Sequence, residues 1–136
     1  MSEWYENIES TLFTQIAYML KNADNAPFPN LHCRATNEIV TPAQFPTLYL
    51  HEEQEETGQD LENQTVNAVN STVYIRVWTN TTEYDCKEVL RAATKELKRF
   101  RYNVKNLPTA QLNNKIAFGE IMAFRVIGNG DTDIVK

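Results

Sequence analysis

Ser71-Thr72-Val73-Tyr74-Ile75-Arg76-Val77-Trp78-Thr79 decides how this chain folds. Val73, Ile75 and Val77 fall on one side and Tyr74, Arg76 and Trp78 on the other, the two-residue period of a β-strand. Bulk on both sides places the strand centrally, with its aliphatic face under the helices. The aromatic face suits either a subunit neighbour, since Tyr and Trp are enriched at interfaces, or packing within the monomer. A second strand-like run, Phe45-Pro46-Thr47-Leu48-Tyr49-Leu50-His51, lies upstream. Pro46 fits its first position or a sheet edge, because proline cannot donate to a ladder. Between the two runs sit Glu52, Glu53, Glu55, Glu56, Asp60 and Glu62, which read as a long acidic loop over about 52–70. Hairpins turn in about two to five residues, and longer connections usually serve a function. This one offers carboxylates and amides but no nucleophile with a paired base, so it reads as a projection that touches a neighbour.

Outward from these runs, Tyr5, Ile8, Leu12, Ile16, Met19 and Leu20 recur at helical spacing and predict a helix from about Ser2 to Lys21. Pro27 and Pro29 forbid its continuation. Leu31, Cys33 and Ala35 alternate with His32, Arg34 and Thr36, as in a half-buried strand. Asn80-Thr81-Thr82-Glu83-Tyr84-Asp85 supplies hydroxyl caps and then acids, which favour a helix start. Cys86, Val89, Leu90, Ala93, Leu97 and Phe100 form that helix's apolar stripe. Tyr102-Asn103-Val104 begins a short strand, and Pro108 and Leu112-Asn113-Asn114 read as turns. The last strand runs from Lys115 to Ile127. Ile116, Phe118, Glu120, Met122, Phe124 and Val126 project to one side; Ala117, Gly119, Ile121, Ala123, Arg125 and Ile127 project to the other. Its length predicts a bend or bulge near Gly119. Gly128 to Asp133 is turn chemistry, and residues 128–136 are expected as a mobile tail. The whole predicts one α+β domain over 1–136: a mixed, mainly antiparallel sheet with two helices packed on one face.

The 136 residues carry a net charge of −5, which argues against a surface built for nucleic acid. Lys95, Lys98, Arg99, Arg101 and Lys105 form a local basic stretch opposite in sign to the acidic segment. Cations in the last turns of a helix offset its dipole, which accounts for them without a ligand. The same asymmetry suits head-to-tail contacts between copies. Cys33 and Cys86 are too few for a disulfide framework. The N-terminus shows no secretory signal, and no run reaches the length of a membrane span. Asn63, Asn70 and Asn80 match the glycosylation pattern as accidents of an Asn- and Thr-rich sequence. The chain therefore reads as intracellular.

Catalytic and metal chemistry finds little support. His32, His51, Cys33 and Cys86 lack zinc-ligand spacing. Cys86 opens a helix, which lowers a thiol pKa, but sits on the apolar stripe, where burial raises it. The acids lack the ligand order of a calcium loop around Gly58. No Gly-rich phosphate loop is present. The expectation is a protein that is not an enzyme, with no catalytic residue, cofactor or metal.

The order of segments resembles the tail-terminator, or tail-completion, proteins of bacteriophages with long non-contractile tails, and more broadly phage neck proteins. The resemblance rests on the N-terminal amphipathic helix, Phe45-Pro46-Thr47-Leu48-Tyr49-Leu50, the acidic segment and Thr72–Thr79. It extends through the helix opening at Glu83-Tyr84-Asp85 and the strand ending Met122-Ala123-Phe124-Arg125-Val126, covering Tyr5 to Ile127. It implies a homo-oligomeric ring, usually a hexamer, that caps the tail tube and meets the head connector in the virion, after synthesis in the host cytoplasm. The implied partners are other copies, the tail tube protein and a head-completion or connector protein. DNA would only pass through the channel, with no membrane involved. Glu52, Glu53, Glu55, Glu56, Asp60 and Glu62 would then line the channel or meet basic residues. Tyr74, Arg76, Trp78, Lys95, Lys98, Arg99 and Arg101 would form the subunit interface. The alternatives are another neck or head-tail joining protein, or a small nucleic-acid-binding α/β module in which Tyr74, Arg76 and Trp78 stack on bases.

Overall fold

A computed structural model describes residues 4–34, 45–60, 65–105, 109–113 and 116–135. The elements are α1 (Ile8–Ala17), continued by a π-helical turn at Tyr18–Asn22, then β1 (His32–Arg34), β2 (Thr47–Asp60) and β3 (Thr65–Thr79). α2 (Glu83–Arg99), β4 (Asn103–Val104), β5 (Thr109–Asn113) and β6 (Ile116–Gly128) follow. The sheet runs β1-β2-β3-β6-β4, and β5 also pairs with β6. Only the β1–β2 pair is parallel; the others are antiparallel. Both helices lie on one face, so the α+β architecture expected from the sequence is present.

The alternation read in β3 and β6 sets the two faces. Val69, Val73, Ile75 and Val77 of β3, with Ala117, Ile121, Ala123 and Ile127 of β6, are buried beneath the helices. Leu48 and Leu50 extend that layer across β2. Ile8, Leu12, Ile16 and Leu20 close it from α1 and its π turn, and Cys86, Val89, Leu90, Ala93 and Leu97 from α2. Full burial of each such Leu or Ile side chain contributes about 1.5–3 kcal/mol.

α2 begins where the sequence places it. Thr82 Oγ1 accepts from the Asp85 N–H at 3.1 Å, and Glu83 and Asp85 sit in the first turn, where acids favour the helix dipole. The helix ends with the Arg101 N–H on the Lys98 carbonyl (2.9 Å) and the Tyr102 N–H on the Leu97 carbonyl (3.1 Å). Arg101 takes φ 63° there, the left-handed position that glycine usually fills. α1 begins at Ile8 rather than near Ser2, and residues 4–7 form turns.

Several expectations are corrected. Residues 52–60 and 65–70 are not a loop but the distal half of a long hairpin. Its register runs without a break from Thr47↔Trp78 to Asp60↔Thr65. A ladder needs only backbone partners, so polar side chains on both faces do not prevent it. Glu62 lies outside the described residues, as do Ala35 and Thr36, Pro108 and Asn114. β6 carries no bulge at Gly119, because its register with β3 is continuous from Thr79↔Ala117 to Ala68↔Gly128. Leu112 and Asn113 belong to β5 rather than to a turn. Residues 129–135, expected as a mobile tail, pack back on the domain: Ile134 is 1% exposed, and Asp133 pairs with Arg101 and Arg125.

Candidate functional site

The helices cover one face of the sheet, and the register specifies what the other presents. Thr47, Trp78 and Phe118 form one cross-strand row; Tyr49, Arg76 and Glu120 form the next. His51, Tyr74 and Met122 follow, then Glu53, Thr72 and Phe124, then Glu55, Asn70 and Val126. No described element lies over this face. The Trp78 and Phe118 rings are 5.3 Å apart. His51 stacks between Tyr49 at 6.5 Å and Tyr74 at 6.1 Å. Phe124 is 47% and Val126 60% exposed. A solvated antiparallel face ordinarily alternates to polar residues, whereas the outward positions of β6 are mostly aromatic or aliphatic. Contiguous apolar surface of this kind marks a contact site.

The predicted interface residues separate into two regions. Tyr74, Arg76 and Trp78 share the open face, where Arg76 donates to Glu120 across the β3–β6 pair. Lys95, Lys98, Arg99 and Arg101 lie exposed along the second half of α2 and just past it, on the other side of the molecule. Arg99 is 3.5 Å from the buried Glu96 carboxylate, and Arg101 is 2.9 Å from Asp133. Two of the four cations therefore serve the monomer's own packing.

The acidic residues also divide. Glu53 and Glu55 are exposed on the open face, and the His51 ring nitrogen Nε2 is 3.3 Å from Glu53. Glu56 is exposed on the opposite face. Asp60 ends β2. Glu52 turns toward the helices: its carboxylate accepts from the Ser71 hydroxyl and from Gln54 Nε2 at 2.9 Å. Its N–H donates to Glu9 Oε2 at 3.0 Å. Burial raises the Glu52 pKa, and these side-chain hydrogen bonds oppose the rise without cancelling it.

Sequence reasoning missed the polar network around Glu52. The Ser71 hydroxyl lies 2.6 Å from the Tyr102 hydroxyl, whose pKa is pushed up by burial. In the next strand, opposite Ser71, Arg125 donates to the Phe100 carbonyl at 2.5 Å and to Asp133 at 2.9 and 3.0 Å. Those bonds hold the Asp133 carboxyl down to about 2. The available signal was an arginine at an inward position of β6. Its partner lay in a segment read as loose.

Cys86 sits fully inside, with its thiol 3.4 Å from the Val77 carbonyl. Burial, aided by nearby Glu83, pushes it up to about 11, so burial outweighs the helix N-terminus at this position. Among the described residues no cluster of His, Cys, Asp and Glu has metal-binding geometry, and no helix is long and apolar enough to cross a membrane. The chain matches no model of a known protein family, and no curated protein matches it.

Proposed function

We propose that this protein is a structural component of a phage tail, a ring-forming tail terminator that caps the tail tube and joins it to the head connector. The observation that carries the reading is the open sheet face, with Tyr49, Tyr74, Trp78, Phe118, Phe124 and Val126 uncovered by any described element of the chain. Such a surface gains free energy by meeting another protein, at about 25 cal/mol per Å² of apolar area removed from water. The distal hairpin supports the same reading, because it carries Glu53, Glu55 and Glu56 exposed beyond Glu52. Negative charge there would let DNA pass without phosphate contacts. Base stacking on this face is disfavoured, because Arg76 is tied to Glu120 and Glu53 and Glu55 stand beside the aromatics.

The test is the absolute mass of the purified protein by light scattering over a range of concentrations. A stable closed assembly of about six protomers is the expected result. A monomer at every concentration, combined with salt-sensitive oligonucleotide binding, would replace this reading with a nucleic-acid module. Changing Glu53, Glu55 and Glu56 together to Gln is expected to slow DNA passage or weaken tail joining. Glu52 is left unchanged because it belongs to the interior network.

A further inference from the structure

A groove of about 510 Å³ opens at the end of the sheet where β2 starts and β3 stops. Phe28, Leu31, Pro46, Tyr84 and Val89 supply its apolar lining, with Asp85 and Glu88 among its walls. Tyr84 at its edge is 65% exposed. At the opposite lateral edge of the sheet, Leu112 of β5 is 54% exposed. The two features lie at the same height: Leu112 pairs with Ala117, Ala117 pairs with Thr79, and Thr79 lines the groove. They also lie on the same side of the sheet, because Leu112 shares the inward face of buried Ala117, beneath α2.

We propose that Leu112 of one copy inserts into this groove on the next copy, forming the repeated contact of the ring. The contact rests on the ring reading above and deepens it. A rotation about an axis along the strands carries the β5 edge of one protomer to the β1 side of its neighbour without changing height. The contact joins two different patches, so it is heterologous and closes when the rotation does. Charge agrees with it. Lys105 and Lys115 flank β5 in the sequence, while Asp85 and Glu88 line the groove, Glu88 also holding Arg91 at 2.5 Å. The uncharged run Thr109-Ala110-Gln111-Leu112-Asn113 carries none of the charges that usually shield an exposed edge strand.

Two variants of the full chain test this contact. Leu112→Glu removes the inserted side chain and leaves the groove intact. Thr81→Arg crowds the groove and leaves both Leu112 and the Thr82 cap intact. Circular dichroism checks that each remains folded. Each alone is expected to assemble at least about 30-fold more weakly than wild type, the loss typical of a dominant interface residue. Mixed in equal amounts, they are expected to form a dimer and nothing larger, because one contact is intact in each mixed pair. Variants that assemble like a ring-forming wild type would overturn this contact and leave the ring reading standing. Folded, monomeric variants that give no mixed dimer would also overturn it. A monomeric wild type would remove both.

Discussion

Glu52 and Asp133 show how two carboxyls in one molecule acquire opposite pH dependence. Burial raises the Glu52 pKa above its ordinary 4.5, so between 4.5 and that raised value the native state holds a proton that the unfolded chain releases. Stability therefore falls as pH rises through that window. Glu52→Gln is expected to flatten this part of the profile and to raise stability near neutral pH, measured by urea unfolding from pH 4 to 8. An unchanged slope would show that the carboxyl is not desolvated. Asp133 has the opposite sign: Arg125 and Arg101 lower it from 3.8 to about 2, so its contribution is present above 3.8 and is lost as pH falls through about 2. Arg101 also holds a backbone conformation that L-residues adopt at a cost. Arg101→Gly and Arg101→Ala both remove the exposed pair with Asp133, but only glycine relieves the left-handed φ. The glycine variant is expected to unfold at a higher urea midpoint than the alanine variant, and equal midpoints would refute the strain argument.

At the scale of elements, legibility followed hydrophobic contrast. β3, β6 and α2 were readable because one face of each is apolar over its full length and α2 carries its Thr82 cap. The distal half of β2 was not, because Glu52, Gln54 and Glu56 face one way and Glu53 and Glu55 the other. Polarity on both faces removes the alternation that marks a strand, although the backbone ladder continues. Three-residue β1 and two-residue β4 carry little pattern of their own, and β5 has no charged or aromatic punctuation. The open face was half legible: Tyr74, Arg76 and Trp78 were placed together, but Tyr49, His51 and Phe124 joined them only through the register. That register makes a prediction. The Glu52 N–H points outward to Glu9 and the Pro46 carbonyl outward to His32, so even-numbered residues of β2 direct their backbone groups away from β3. Glu55→Pro removes a β2–β3 hydrogen bond, whereas Glu56→Pro acts on the outer edge, where proline is tolerated. Thermal unfolding is expected to show the larger loss for Glu55→Pro. The reverse order would mean that the hairpin is shifted by one residue.

For the whole molecule, the question is which surface supplies the affinity of assembly. The two candidates differ in physics: an apolar sheet face with Trp78 against Phe118, and the exposed cations of α2. Exposed ion pairs contribute about 0–1 kcal/mol each and weaken with salt. A well-packed aromatic at an interface contributes 2 kcal/mol or more when truncated, roughly a 30-fold change in dissociation constant. Trp78→Ala is therefore expected to weaken assembly far more than Lys98→Ala, measured by sedimentation velocity across a dilution series. Trp78 is half-buried within the monomer, so its truncation also removes packing against Phe118. Phe124→Ser separates the two effects, because Phe124 is already 47% exposed and its loss leaves the monomer core untouched. If the sheet face joins subunits, Phe124→Ser lowers assembly with little change in unfolding, and raising salt from 0.05 to about 0.5 M changes wild-type assembly only modestly. Assembly that survives Phe124→Ser but collapses in salt would move the affinity to the charged surface of α2.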